Sequence, residues 1–298
     1  MRKQSLFTLF LLLPFYCVSQ DWAQLPVPAD PGPGKTWALQ EDFSDAFAYS
    51  GKSESFRANW QDTYWNKWTG PGLTHWMPNE SDVKDGKLVI SGSRRAGTEK
   101  VNCGVVTSKN TVLYPLYTEA RIKVSNLELS SNFWLLSTDS CREIDVLEVY
   151  GGATKEYFAR NMSTNFHVFI RSAKKGISSD FNDQNHVSLP DSAFWREEFH
   201  TFGVHWKSPT EVDFYIDGKL IPEGSWTKAE MFDKDYTHTK MDKTKYLMDR
   251  PMHLILDTED HHWRSAQGIV AKDEDLADPA KNKMYVDWIR TYKPVEVD

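Results

Sequence analysis

Three cysteines in 298 residues, one of them in the first twenty, leave no framework of disulfides to build on. Cys103 and Cys141 alone lie in the body of the chain, and they either pair or stand as two isolated buried thiols. No Cys/His spacing suits a zinc site, no Ser-His-Asp signature stands out, and no glycine-rich loop is shaped for phosphate. Cations are also in deficit, 35 Lys and Arg against 42 Asp and Glu, which excludes a nucleic-acid ligand held by phosphate contacts. Apolar runs are short. The longest, Leu6 to Val18, follows Arg2 and Lys3 and precedes Cys17-Val18-Ser19, the pattern of a secretion signal over residues 1–19 rather than a membrane span. Its removal takes two cations and no acid, moving the net charge from −7 to −9. Helical periodicity, internal repeats and a second linker are missing as well. Residues 20–35, rich in Pro and Gly, read as a leader, and residues 36–298 as one domain.

What is present in excess is aromatic. Twelve Trp are more than a core of this size needs, and the surplus suits the apolar C–H faces of sugar rings. The remainder belongs in the core. Alternating segments dominate. In 118–125, Ala120, Ile122 and Val124 share one face, while Glu119, Arg121 and Lys123 share a solvated one. Further strands are expected at 87–91, 131–137, 143–150, 164–171, 199–207, 252–257 and 284–293, with a hairpin at Asp217-Gly218. Many strands without an amphipathic helix predict a sandwich or barrel, its rims formed by loops at 45–80, 172–196 and 222–250.

The chemistry is concentrated in Glu143-Ile144-Asp145-Val146-Leu147-Glu148. On a strand Glu143 and Asp145 share a face, and strict alternation sends Glu148 to the other. A one-residue bulge brings it back. At ~3.3 Å per residue the outer acids then have Cα atoms roughly 13 Å apart. Inward-leaning side chains close this to about 5–6 Å, the separation of the carboxyl pair in a retaining glycosidase. Crowded acids hold one proton among them and leave another group ionised, as glycosidic cleavage requires. An acidic surface strand or a calcium site is the alternative reading of the same residues.

The stretch Glu143 to Glu148, placed after the aromatic strand Asn132-Phe133-Trp134-Leu135-Leu136, resembles the signature of glycoside hydrolase family 16. The resemblance is strongest to its β-agarase and β-porphyranase branch. Trp68-Thr69-Gly70-Pro71-Gly72-Leu73-Thr74, Tyr114-Pro115-Leu116-Tyr117-Thr118-Glu119-Ala120-Arg121, and the tail segments Glu259-Asp260, Trp263-Arg264-Ser265 and Val286-Asp287-Trp288-Ile289-Arg290 carry it. It implies an all-β jelly-roll sandwich of two antiparallel sheets with a concave substrate cleft. It also implies that Glu143 is the nucleophile, Glu148 the acid/base, and Asp145 the group that tunes them. Trp134 is similar to the tryptophan beneath the sugar next to the cleaved bond, and Trp68 to a stacking platform. His167 and Arg171 resemble a substrate-facing pair, Glu259 an acid bonding a galactose hydroxyl, and Trp263 a further substrate contact.

His75-Trp76 departs from the agarase pattern, which usually carries an acidic residue and Phe at these positions. With Trp65, Trp76 looks more like a porphyranase cleft. The implied substrate is a red-algal galactan, agarose first and sulfated porphyran second. A non-catalytic jelly-roll lectin, which would lose an acid, is the alternative of another class. No cofactor is implied for catalysis. A structural Ca2+ is implied at Asp287 with oxygens near Glu41 and Gly86. The protein is expected to be secreted and monomeric.

Overall fold

The computed structural model describes residues 22–172, 176–226 and 247–297. The segment read as a secretion signal, and most of the loop expected at 222–250, lie outside them. Among the described residues no helix is long and apolar enough to cross a membrane.

Two large, mainly antiparallel sheets stack face to face as a jelly-roll sandwich. One runs in the order Lys219–Trp226, Glu211–Ile216, His200–Ser208, Leu116–Lys123, Lys283–Glu296, Lys87–Arg94, Val101–Cys103 and Thr74–Trp76. The last two strands pair in parallel. The other runs Gly176–Asn182, Asn161–Ser172, Arg142–Tyr150, Ser130–Ser137, Met252–Glu259, Val105–Ser108 and Trp60–Gln61. The loop expected at 172–196 therefore contains strands of its own, Gly176–Asn182 and Asn185–Ser188. The helices beside the strands are single turns such as Glu54–Asn59 and His262–Ser265.

Strand alternation explains where the core sits. Along Ser130–Ser137, Phe133 and Leu135 enter the main core between the sheets. Trp134 and Leu136 point the other way into a second cluster on the outer face of the same sheet. Every residue of this strand is buried, because its outer face is covered too.

Two expectations are corrected here. Glu119 does not face solvent: it is only 3 % exposed, bonded by the Tyr117 hydroxyl at 2.6 Å and paired with the buried Arg290. Alternation identified the second face of the strand but not that the leader covers it. Arg290 also donates to the carbonyls of Leu25 (2.6 Å) and Trp22 (2.7 Å), so residues 22–29 are docked on the sheet. Second, the residues expected to hold calcium do not fit it. The Asp287 carboxylate takes a hydrogen bond from Arg121 Nη1 at 2.6 Å and faces Lys87 Nζ at 3.9 Å. Two cations already satisfy it. The Glu41 carbonyl accepts from Ser44 N and Asn59 Nδ2. Gly86, with φ of 69°, serves the turn between two strands. Cys103 and Cys141, whose pairing the sequence left open, are free thiols, the first buried and the second half-buried.

Candidate active site

The strand Arg142–Tyr150 carries an extra residue where the acids required one. Against the strand Ser130–Ser137, pairing passes from Asp145↔Trp134 directly to Leu147↔Phe133. Against Asn161–Ser172 it passes from Asp145↔Asn165 to Glu148↔Ser163. Val146 and Leu147 both reach the main core, so neighbours in sequence share a face. Glu143, Asp145 and Glu148 consequently line one wall of an open cleft of about 610 Å³. Arg142, between them and Cys141, turns away as alternation requires, is buried, and bonds the carbonyls of Cys141 and Leu247.

The neighbouring strands supply the rest of the floor. Trp134 presents an edge to the cleft, and its Nε1 donates to the buried Asp257 Oδ1 at 3.2 Å. Glu259 ends its strand with its carboxylate in the cleft, bonded by His261 Nε2 at 2.8 Å. His167 faces the acids, its Nε2 3.5 Å from Asp145 and 4.0 Å from Glu143, while its Nδ1 donates to Asp180 Oδ2 at 2.9 Å. Arg171 lines the far end, donating through Nε to the Ser140 carbonyl at 2.8 Å. Trp68, 47 % exposed, stands on the rim.

Two tryptophans expected in the cleft lie elsewhere. Trp76 is 6 % exposed, stacks on Tyr64 at 5.0 Å, and donates through Nε1 to the Thr258 carbonyl at 3.2 Å. Trp65 stacks between Tyr64 (3.9 Å) and His253 (4.9 Å) and is not among the lining residues. Tyr64, which the sequence reading did not single out, separates them and itself lines the cleft. Trp263, 43 % exposed, lines an adjoining cavity of about 280 Å³ that shares Glu148 with the main cleft. His261 was also missed. Its signal was the alternation with Glu259, two residues earlier, which places both on one side of the chain.

Burial, reinforced by the Glu259, Glu148 and Asp180 carboxylates and opposed by His261, pushes Glu143 up to about 8. Burial and Glu143 hold Asp145 well above the usual carboxylate range, against the pull of His167. Both carboxyls are thereby biased toward the protonated form at neutral pH. Burial alone would lower His261, but the Glu259 hydrogen bond and the Glu148 charge outweigh it and push it up to about 9. Among the described residues, Glu143, Asp145 and His167 form the one set of three metal-ligating donors that lie within 4.8 Å of one another. An imidazole facing two carboxylates already balances charge there without an ion.

The model for "Beta-porphyranase A-D, GH16 domain" matches residues 37–294. The chain belongs to glycoside hydrolase family 16. Among family 16 proteins, β-agarase AgaB34 of Agarivorans albus is 58 % identical over 274 residues, covering 92 % of this chain and 60 % of that protein. β-Agarase AgaA of Microbulbifer thermotolerans is 41 % identical over 283 residues, covering 93 % of this chain and 64 % of the relative. The chain therefore spans under two thirds of the length of both. A crystal structure of an inactivated mutant β-agarase B in complex with agaro-octaose superposes with a TM-score of 0.83 at 37 % identity. That match covers 93 % of this chain and all of the other.

Proposed function

We propose that the protein is a secreted, endo-acting, retaining glycoside hydrolase that cleaves β-1,4-galactosidic bonds in agarose. The observation that carries this reading is the bulged strand, which sets Glu143, Asp145 and Glu148 on one cleft wall beside Trp134. Glu143 attacks the anomeric carbon while Glu148 protonates the departing oxygen, giving a glycosyl ester on Glu143. Glu148 then takes a proton from water, which attacks the same carbon and frees Glu143 with the original configuration. Glu148 enters the cycle protonated from solvent and regains that proton from the attacking water, while Asp145 keeps its own proton and leaves Glu143 ionised for attack. Residues 1–19 act as the cleaved export signal.

Agarose is preferred because the relatives at 58 % and 41 % identity carry the agarase name. Porphyran remains the second reading, because the matching family model is named for porphyranases.

Two experiments test the proposal. Reducing ends and product lengths are measured on agarose and on porphyran in parallel. Neutral even-numbered oligosaccharides from agarose are expected; sulfated products with agarose untouched would overturn the substrate assignment. In the second, Glu143→Ser is expected to lose turnover by at least about 10³-fold while still retarding in agarose-affinity electrophoresis. Retained activity would reject Glu143 as the nucleophile.

A further inference from the structure

We propose that His261 is a positioning residue that holds the Glu148 carboxylate in the geometry for proton delivery and ties it to the sugar-binding Glu259. This rests on the reading of Glu148 as the acid/base. The imidazole lies between the two acids. Its Nε2 donates to Glu259 Oε1 at 2.8 Å, and its Nδ1 sits 2.6 Å from the Tyr150 hydroxyl and 3.2 Å from Glu148 Oε1. The other Glu148 oxygen, Oε2, accepts from Ser163 Oγ at 3.1 Å. Both oxygens of the carboxylate are thereby addressed from fixed points, one neutral and one cationic.

The backbone carrying His261 is tied on both sides. Before it, Asp260 N donates to Thr74 Oγ1 at 2.7 Å, and Asp260 Oδ2 accepts from Leu73 N at 2.8 Å. After it, the His261 carbonyl accepts from Arg264 N at 2.8 Å and Ser265 N at 3.2 Å. The ring stands edge-on to Tyr150, which carries the Arg264 guanidinium 3.9 Å over its face and packs edge-on against Phe158 and Trp263. Arg264 is fully buried and paired with Glu128. His261 lies in the short connection between the strand Met252–Glu259 and the helix His262–Ser265, and these ties hold it firmly enough to fix its neighbour. The charged groups acting on it are Glu148 from the bulged strand, Glu259 and Asp260 from its own segment, with Glu143 also feeling its charge.

A proton donor matters most when the leaving group is poor. The test compares kcat/KM for a neutral agarose oligosaccharide with that for the p-nitrophenyl glycoside of the matching disaccharide, in His261→Asn and His261→Phe. Loss of positioning is expected to lower the oligosaccharide value about 10–100-fold and the aryl value less than about threefold. Equal losses on both substrates, which a merely structural role would give, or no loss on either, would overturn the proposal. Should the His261 variants not fold, Tyr150→Phe keeps the ring on Arg264 and removes only the hydroxyl. A smaller split in the same direction is expected from it, and equal losses on both substrates would again overturn the assignment. Glu148→Gln is assayed alongside, with azide. If azide does not restore aryl-glycoside cleavage and yield the glycosyl azide, the reading of Glu148 fails independently of His261.

Discussion

Glu143 is pushed up to about 8 because it is buried beside other acids, and that arrangement costs stability whenever the group must ionise. The sign follows from linkage. A carboxyl whose folded value lies above its unfolded value stabilises the fold while protonated, and that contribution is lost as pH rises from the unfolded value through the folded one. His261, raised to about 9, acts in the same direction. The thermal midpoint is therefore expected to fall as pH rises from about 4.5 to above about 8. Glu143→Gln should remove part of that fall, so that the inactive variant is the more stable protein at alkaline pH. Parallel melting curves for the two proteins across this range would contradict the shift.

At the scale of the element, two tryptophans eight residues apart separate packing from binding. Trp76 lies against Tyr64 and bonds the carbonyl of Thr258, the residue before Glu259. Trp68 stands on the rim, edge-on to Tyr64 at 5.5 Å. Trp76→Ala is expected to destabilise by about 3–5 kcal/mol, read by urea unfolding. Trp68→Ala should leave the unfolding midpoint within about 0.5 kcal/mol of wild type and raise KM for agarose several-fold. The reverse pattern would exchange their roles. Both residues read alike in sequence, since an aromatic in an irregular segment carries no periodicity to say which way it faces. The bulge differs. Two acids at i and i+2 and a third at i+5 cannot share a face on a regular strand, so the insertion at Val146-Leu147 was legible from spacing alone.

On the scale of the whole molecule, the leader and the sheet opposite the cleft are joined through one buried ion pair. Arg290 satisfies Glu119 and at the same time the carbonyls of Leu25 and Trp22. Arg290→Met would strand the Glu119 carboxylate in a dry site, at a cost of about 3–5 kcal/mol. The companion Glu119→Leu/Arg290→Met double variant should recover most of it. A double variant no better than the single would show that the leader contacts, rather than the pair, carry the energy.

The architecture, the position of the bulge and the crowding of the acids followed from the sequence, because each depends on local period and spacing, which the chain carries residue by residue. The jelly-roll fold was read from resemblance and is the fold observed; Trp134, His167, Arg171 and Glu259, named from the same resemblance, line its cleft. Tertiary structure alone decided the partners. It set Asp287 beside Arg121 and Lys87, buried Glu119 under the leader, drew Trp76 and Trp65 behind Tyr64, and set His261 between Glu148 and Glu259. In each case the deciding neighbour is distant in the chain, and only the folded sheet order brings the charges and rings within reach of one another.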